Sequence, residues 1–273
     1  MRIEIDKRGN SFCDFGPEKK AKKTRRKHKK AMPTAVQRLF EICNDVFAGA
    51  GSVPSPPQVE RLQSVLDSMK PSDVGLNELM PYFEAEKNEG YPPITYLHVY
   101  ECDNFSIGIF CLPPSGVIPL HNHPNMTVFS KLLFGSMHIK SFDWAPPPFD
   151  AVWPAKAKAE TTSSVRLAKV KVDSDFNAPC KTSILYPTSG GNMHTFHAQT
   201  ACAVLDVFGP PYNDSKGRHC TYFHEFPYPS FSGDAVSVQE NGGEYAWLEE
   251  IERPGSLKVV GAEYEGPKIV DTL

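Results

Sequence analysis

GVIPLHNHPNMTVFSKLLFGSMHIKSFDW, residues 116–144, is the stretch from which the fold of this chain can be read. Gly116 and Gly135 mark it as a strand–turn–strand unit, and Pro119 and Pro124 bracket and stiffen the triplet His121-Asn122-His123. Positions i and i+2 of a strand project to the same face, so His121 and His123 offer two imidazoles side by side to one metal ion. A third candidate, His194, follows the turn Tyr186-Pro187-Thr188-Ser189-Gly190-Gly191, which leads into a new strand. A His-x-His pair alone is more often structural than metal-binding; the framing glycines and prolines and the third histidine raise the metal reading. No acidic residue stands at the spacing that would make a two-histidine, one-carboxylate set.

Working outward, short strands are expected at Ile94–Tyr100, Ser106–Leu112, Val117–Leu120, Thr127–Phe134, Ser136–Phe142, Val165–Val172, Thr182–Tyr186, Cys202–Phe208 and Tyr222–Phe226, separated by Pro, Gly and Asn/Asp clusters. A last strand fits Leu257–Tyr264, a short helix fits Glu244–Glu252, and 144–163, with its three consecutive prolines, reads as a long surface loop. Many short strands at this rhythm predict a mainly β sandwich, jelly roll or small barrel. Two helices precede them. The first begins with capping-box spacing at Thr34 and Gln37 and carries the apolar stripe Val36, Leu39, Phe40, Cys43, Val46, Phe47; the second begins at Ser55-Pro56-Pro57-Gln58 and ends at Lys70-Pro71. A third helical segment fits Val74–Met80. The chain therefore divides into a disordered basic tail, 1–31, a helical extension packed on the barrel, 32–92, and a β domain, 93–273.

Composition bounds the function. The 273 residues carry a net charge of −3, but nine Lys/Arg lie within residues 19–30, leaving 20 basic against 32 acidic residues elsewhere. An acidic body argues against broad nucleic-acid binding. The basic run suits a nuclear-import signal, a solubilising tail or, least, a nucleic-acid arm, since no aromatic residue interrupts it. Seven scattered cysteines without a Cys-x-x-Cys pair point to a reducing compartment. No apolar run is long enough for a membrane span, and the charged N-terminus lacks a signal-peptide core. The expected setting is nucleus and cytoplasm, with no membrane partner and a monomeric state.

The pattern Gly116-x4-His121-x-His123, with Gly135 closing it, resembles the first cupin motif, and Gly191-x2-His194 the second. Val128 sits near the place of the usual cupin glutamate, a departure typical of the three-histidine thiol dioxygenases. The stretches HNHPNMTVFSKLLFGSMHIKSFDW, KTSILYPTSGGNMHTF and ACAVLDVFGPPYNDSKGRHCTYF are similar to plant cysteine oxidases, relatives of cysteamine (2-aminoethanethiol) dioxygenase, and the similarity runs from about Pro33 to the C-terminus. It implies a cupin double-stranded β-helix (jelly-roll barrel) with an N-terminal helical extension, holding one Fe(II) per chain on His121, His123 and His194. It also implies an enzyme that uses O2 to convert the N-terminal cysteine of target proteins to cysteine sulfinic acid. Such an enzyme senses oxygen and feeds the Arg/Cys N-degron pathway, with group VII ethylene response factors as targets.

Imidazoles suit Fe(II), Zn, Cu and Ni alike, so the residues alone leave a hydrolytic zinc site open. Asp206, an acid inside an apolar strand, is either a hydrogen-bonded core acid or a group that orients a ligand histidine or binds the substrate amine. Tyr212 matches a family tyrosine near the pocket, and Cys220 and Tyr222 match a pair in which a thioether cross-link is possible. Cys202 shares a face with Asp206 by parity and suits core packing. His197, odd-spaced from His194, faces away from it. Two other readings compete: a small-aminothiol dioxygenase acting on cysteamine or free cysteine, and a non-enzymatic metal-binding cupin.

Overall fold

The computed structural model describes residues 32–49, 53–84, 90–146, 152–154, 164–230 and 244–271. The expected disordered tail, residues 1–31, lies outside the described residues.

Two α-helices come first. Helix α1, Ala35–Val46, is capped by Thr34, whose side chain accepts a hydrogen bond from the Gln37 backbone. Helix α2, Pro56–Ser68, opens with prolines in its first turn and a Ser55–Gln58 side-chain contact that satisfies the Ser55 backbone N–H. The expected helix over Val74–Met80 is absent. Two 3-10 turns, Pro71–Val74 and Pro81–Phe83, flank that stretch instead, because Gly75 takes a φ of +73° and ends the first of them.

Among the described residues thirteen strands follow: β1 Ile94–Glu101, β2 Ser106–Leu112, β3 Val117–Asn122, β4 Thr127–Phe134, β5 Ser136–Trp144, β6 Val152–Pro154, β7 Ser164–Asn177, β8 Ser183–Leu185, β9 Met193–Ala198, β10 Cys202–Gly209, β11 Tyr222–Pro227, β12 Tyr245–Ile251 and β13 Val259–Ala262. They form two sheets, ordered β13-β1-β2-β10-β4-β8 and β12-β11-β3-β9-β5-β7-β6. Strand β12 also pairs with β7, closing the second sheet into a ring. Leu120, Phe142, Ala168, Met193, Phe223, Ala246 and Leu248 cluster as the core of this part. This is the double-stranded β-helix of cupins.

The segment Glu244–Glu252, expected to be helical, is strand β12. Its backbone pairs with Tyr222–Pro227 on one side and with Val165–Lys169 on the other; long-range pairing overrides the weak helical preference of Glu-rich sequence. The region 144–163 is not wholly loop: β5 runs to Trp144, and β6 pairs with the start of β7.

Strand β10 shows how the layers meet. All eight of its residues are buried. Ala203, Leu205 and Val207 join the helical stripe of Val36, Leu39, Phe40, Cys43, Leu62 and Leu66 in one core. Cys202 and Val204 face the opposite way, into the inter-sheet core with Leu132, Met137 and Phe196. Each large side chain buried here contributes about 1.5–3 kcal/mol relative to exposure. Pro33–Leu273 consequently form one compact unit. No described helix is long and apolar enough to cross a membrane.

Helix α2 is also tied by polar groups. Asp67 Oδ1 accepts from the Thr182 backbone and hydroxyl, both at 2.7 Å, and lies 3.9 Å from the buried Lys131 ammonium, which donates to the Cys180 carbonyl. Gln63 donates to the Thr182 carbonyl at 3.0 Å. These bonds hold residues 180–183 against the barrel.

The β4–β5 turn depends on Gly135. Its φ is +84°, and an added Cβ would lie 2.1 Å from the Ala201 carbonyl oxygen. Gly135→Ala is expected to lower unfolding free energy by roughly 2–4 kcal/mol, from strained φ plus the clash; urea denaturation followed by circular dichroism checks this.

Candidate metal centre

His121 is the fifth residue of β3, and His123 stands one residue past the strand's end. The register of β3 against β9 slips between Ile118 and His121. Such a bulge re-aims side chains: Leu120 packs in the closed ring, while Ile118 and His121 both line one cavity. His194, the second residue of β9, is the backbone partner of His121 across the sheet. The three rings form a near-equilateral triangle, with centroids 4.7–4.9 Å apart. All three are buried, and one nitrogen from each lies within 4.8 Å of the others.

The tautomers follow from partners that can only accept or that are already donating. His121 Nδ1 is 2.8 Å from the Pro119 carbonyl, which can only accept, so Nδ1 carries the hydrogen and Nε2 the lone pair. The Tyr212 hydroxyl donates to the Asn122 carbonyl at 2.8 Å and therefore accepts from His123 Nδ1 at 2.7 Å, again leaving Nε2 bare. His194 has a backbone hydrogen bond with Gly191. Burial pulls His121 down to about 4 and holds His123 and His194 well below the ordinary histidine value, so all three stay neutral near pH 7. His123 Nε2 and His194 Nε2 face each other at 3.3 Å. Three buried, neutral imidazoles that each bring one nitrogen to a common point fit a divalent metal that takes imidazole nitrogen.

The centre opens into a cavity of about 200 Å³ lined by Phe110, Phe208, Asp206, Tyr212, Cys220 and Tyr222, among others. The sequence-predicted residues therefore come together. Asp206 is 4% exposed and its Oδ1 has no hydrogen-bond partner. Burial pushes its carboxyl up to about 7. The neighbouring Ser130 hydroxyl works against that shift, though its alignment falls short of a full hydrogen bond, since Ser130 Oγ is also unpartnered. Burial likewise raises the Cys220 thiol, while a hydrogen bond from the Tyr222 hydroxyl and the charge of Arg253 pull it down. Cys202 packs in the inter-sheet core. Among the spare histidines, His197, His219 and His224 are exposed, and His138 bridges Asp173 and Asp175 at 2.9 and 2.8 Å on the sheet surface.

Three positioning residues escape sequence reasoning. Asn192 accepts from the His123 backbone at 3.1 Å and donates to the His123 and Tyr186 carbonyls at 2.9 and 2.8 Å. Asp143 accepts from the backbones of Gly190, Gly191 and Asn192 at 2.8–3.2 Å, gripping the turn that delivers His194. Asn122 accepts from Thr221 at 2.9 Å and so ties β3 to the segment entering β11. The only sequence signal is Gly-Gly-Asn itself: an Asx side chain beside two glycines marks a turn that needs bracing.

A double-stranded β-helix with three neutral imidazoles converging beside a cavity defines a metal-binding cupin. The PCO_ADO family model matches residues 65–269, and the chain belongs to that family. Plant cysteine oxidase 2 of Arabidopsis thaliana is 57% identical over 252 residues, covering 91% of this chain and 88% of its own length. Plant cysteine oxidase 1 of the same plant is 57% identical over 87% of this chain and 81% of its own. The 2-aminoethanethiol dioxygenase of Mus musculus is 27% identical over 88% of this chain and 98% of its own. The chain is accordingly a thiol dioxygenase, an oxidoreductase that takes O2 and a thiol substrate.

Asp143→Ala is expected to leave a folded protein whose metal affinity falls by about 10–100-fold, read by competition with a chromogenic chelator. His194→Ala is expected to lose stoichiometric metal by elemental analysis, while His197→Ala keeps it.

Proposed function

We propose that this chain is an Fe(II)-dependent dioxygenase that converts the N-terminal cysteine of target proteins to cysteine sulfinic acid, with one iron held by His121, His123 and His194. The observation that carries the reading is the unpartnered, buried Asp206 carboxylate oxygen in the same cavity as three neutral imidazoles. A peptide N-terminus presents a thiol and an ammonium two carbons apart. The thiol is placed at the imidazole triangle and the ammonium at Asp206, which satisfies the orphaned oxygen. No Lys or Arg is among the described residues lining the cavity, and the nearest guanidinium acting on its wall is that of Arg253, felt at Cys220 and Tyr222; an amide-linked cysteine carries no α-carboxylate and needs no such partner.

Ferrous iron held by His121, His123 and His194 would supply coordination sites for the thiolate and O2 and a path for the sulfur's four electrons to reach O2. The stoichiometry is R–SH + O2 → R–SO2H, both oxygen atoms ending on sulfur. The chain's own residues set the stage. Tyr212 and Pro119 fix the tautomers of His123 and His121, leaving each Nε2 aimed inward. Phe196 stacks on His194 at 4.5 Å and Phe208 on His123 at 5.7 Å, keeping water from the ligand rings. The Cys220 thiol and the Tyr222 and Tyr212 hydroxyls form a hydrogen-bonded cluster on the cavity wall, placed to contact the sulfur or the oxygen. A Cys220–Tyr222 thioether would lower intact mass by two hydrogens.

The biological reading follows. Oxidised N-termini enter the Arg/Cys N-degron pathway, turnover reports oxygen supply, and the targets are transcription factors of the group VII ethylene response type. The basic run at 19–30 acts as a nuclear-import signal, giving a monomer shared between nucleus and cytoplasm. The second reading, a cysteamine dioxygenase, is favoured by the same lack of Lys or Arg among the described residues lining the cavity, since cysteamine too bears thiol and amine without carboxylate.

Iron-loaded protein incubated with a Cys-initiated peptide and O2 is expected to add two oxygen atoms to the peptide by mass spectrometry, and none to its N-acetylated form. Addition to cysteamine alone would favour the second reading, and zinc as the only metal that supports activity would sink the iron assignment. Asp206→Asn should keep its metal and lose about 10–100-fold in kcat/KM, the worth of a charge-assisted hydrogen bond of about 1.5–3 kcal/mol. Deleting residues 19–30 from a fluorescent fusion should shift it out of the nucleus.

A further inference from the structure

Behind the metal centre lies a second, smaller cavity of about 50 Å³. Most of its wall area is apolar, from side chains such as Leu132, Ile139, Val172 and Val204, with Ser130, Ser141, Lys181 and Ser183 as polar lining. It shares two residues with the metal cavity, His194 and Phe196, whose rings stack at 4.5 Å and 9°. The stacked pair is thus a partition with the reacting centre on one side and an apolar chamber on the other. Asp206 and Ser130, paired across β10 and β4, continue that partition, Asp206 lining the metal cavity and Ser130 the chamber.

The chamber is built, and is not a gap left by loose packing. Its outer wall includes Cys180, Lys181 and Ser183. That segment is the one α2 clamps through Asp67 and Gln63 on Thr182, while Lys131 holds the Cys180 carbonyl. Filling the space with one larger aliphatic side chain would have been the stabilising choice, since voids cost packing energy.

We propose that the chamber is a holding site for O2, from which the gas passes the His194–Phe196 partition to the metal centre; this rests on the dioxygenase reading above. Size and polarity select the occupant. About 10–15 Å³ suffices for one water, which needs two to four polar partners; the serines can hold a water on their side, but the aliphatic lining of Leu132, Ile139, Val172 and Val204 offers none, and apolar space of that kind takes up apolar gases such as xenon. A diatomic apolar gas fits the volume and finds there the solvation that water denies it. Of the two cosubstrates, a charged peptide terminus is excluded from such walls and O2 is not.

The test uses xenon as the probe and oxygen dependence as the readout. Xenon-pressurised crystals of the full chain should show xenon between Val172 and Val204. Val172→Phe and Ile139→Phe, both at half-buried lining positions, should displace it and raise the apparent KM for O2 by about threefold or more. Peptide KM and the rate at saturating O2 should stay within about twofold, the split expected when only delivery of one cosubstrate is impaired. Absence of xenon from the wild-type chamber, or displacement of xenon with no change in oxygen dependence, overturns the proposal. A wild-type protein that consumes no oxygen with any thiol would overturn the dioxygenase reading itself, whatever xenon shows.

Discussion

Three neutral imidazoles brought to one point inside the barrel are the constraint around which this structure is organised. The His123 and His194 Nε2 atoms sit 3.3 Å apart, and the His123 ring is held by its Nδ1 hydrogen bond to Tyr212. Burial pulls all three rings below the ordinary histidine range and so keeps their nitrogens available as ligands. A divalent cation that binds only this arrangement would add to the stability of the native state.

Keeping such an arrangement in place demands stiffness from the backbone on both sides. The β3 bulge turns His121 towards the cavity while Leu120 stays in the ring core. Asn192 then fastens the His123 backbone to the turn that carries His194, and Asp143 fastens that turn to β5. Each of these is a side chain bonded to main chain, short and with few rotamers. They act between segments far apart in sequence, so the ligand triangle exists only once β3, β9 and β5 have paired.

The same fold makes two different environments inside one barrel. On one side of the His194–Phe196 stack the walls carry a carboxylate, two phenols and a thiol; on the other most of the wall area is apolar, with three serines and Lys181 among the lining. The helices contribute at a distance: α2 holds the 180–183 segment, part of which walls the apolar side.

Much of this was written in local pattern. The His-x-His triplet, the glycine turn before His194 and the run of short strands each depend on neighbours a few positions apart, so the sequence determined most of the strands, the helical stripes with their Thr34 and Ser55 starts, and the three candidate histidines that converge. The helix expected at Glu244–Glu252 became a strand because its partners, β7 and β11, lie elsewhere in the chain. The roles of Asn192 and Asp143, the orphaned oxygen of Asp206 and the second cavity were likewise decided only by tertiary structure. A residue's hydrogen-bond partners and the space left beside it are set by groups that approach from distant segments, and no local periodicity encodes them.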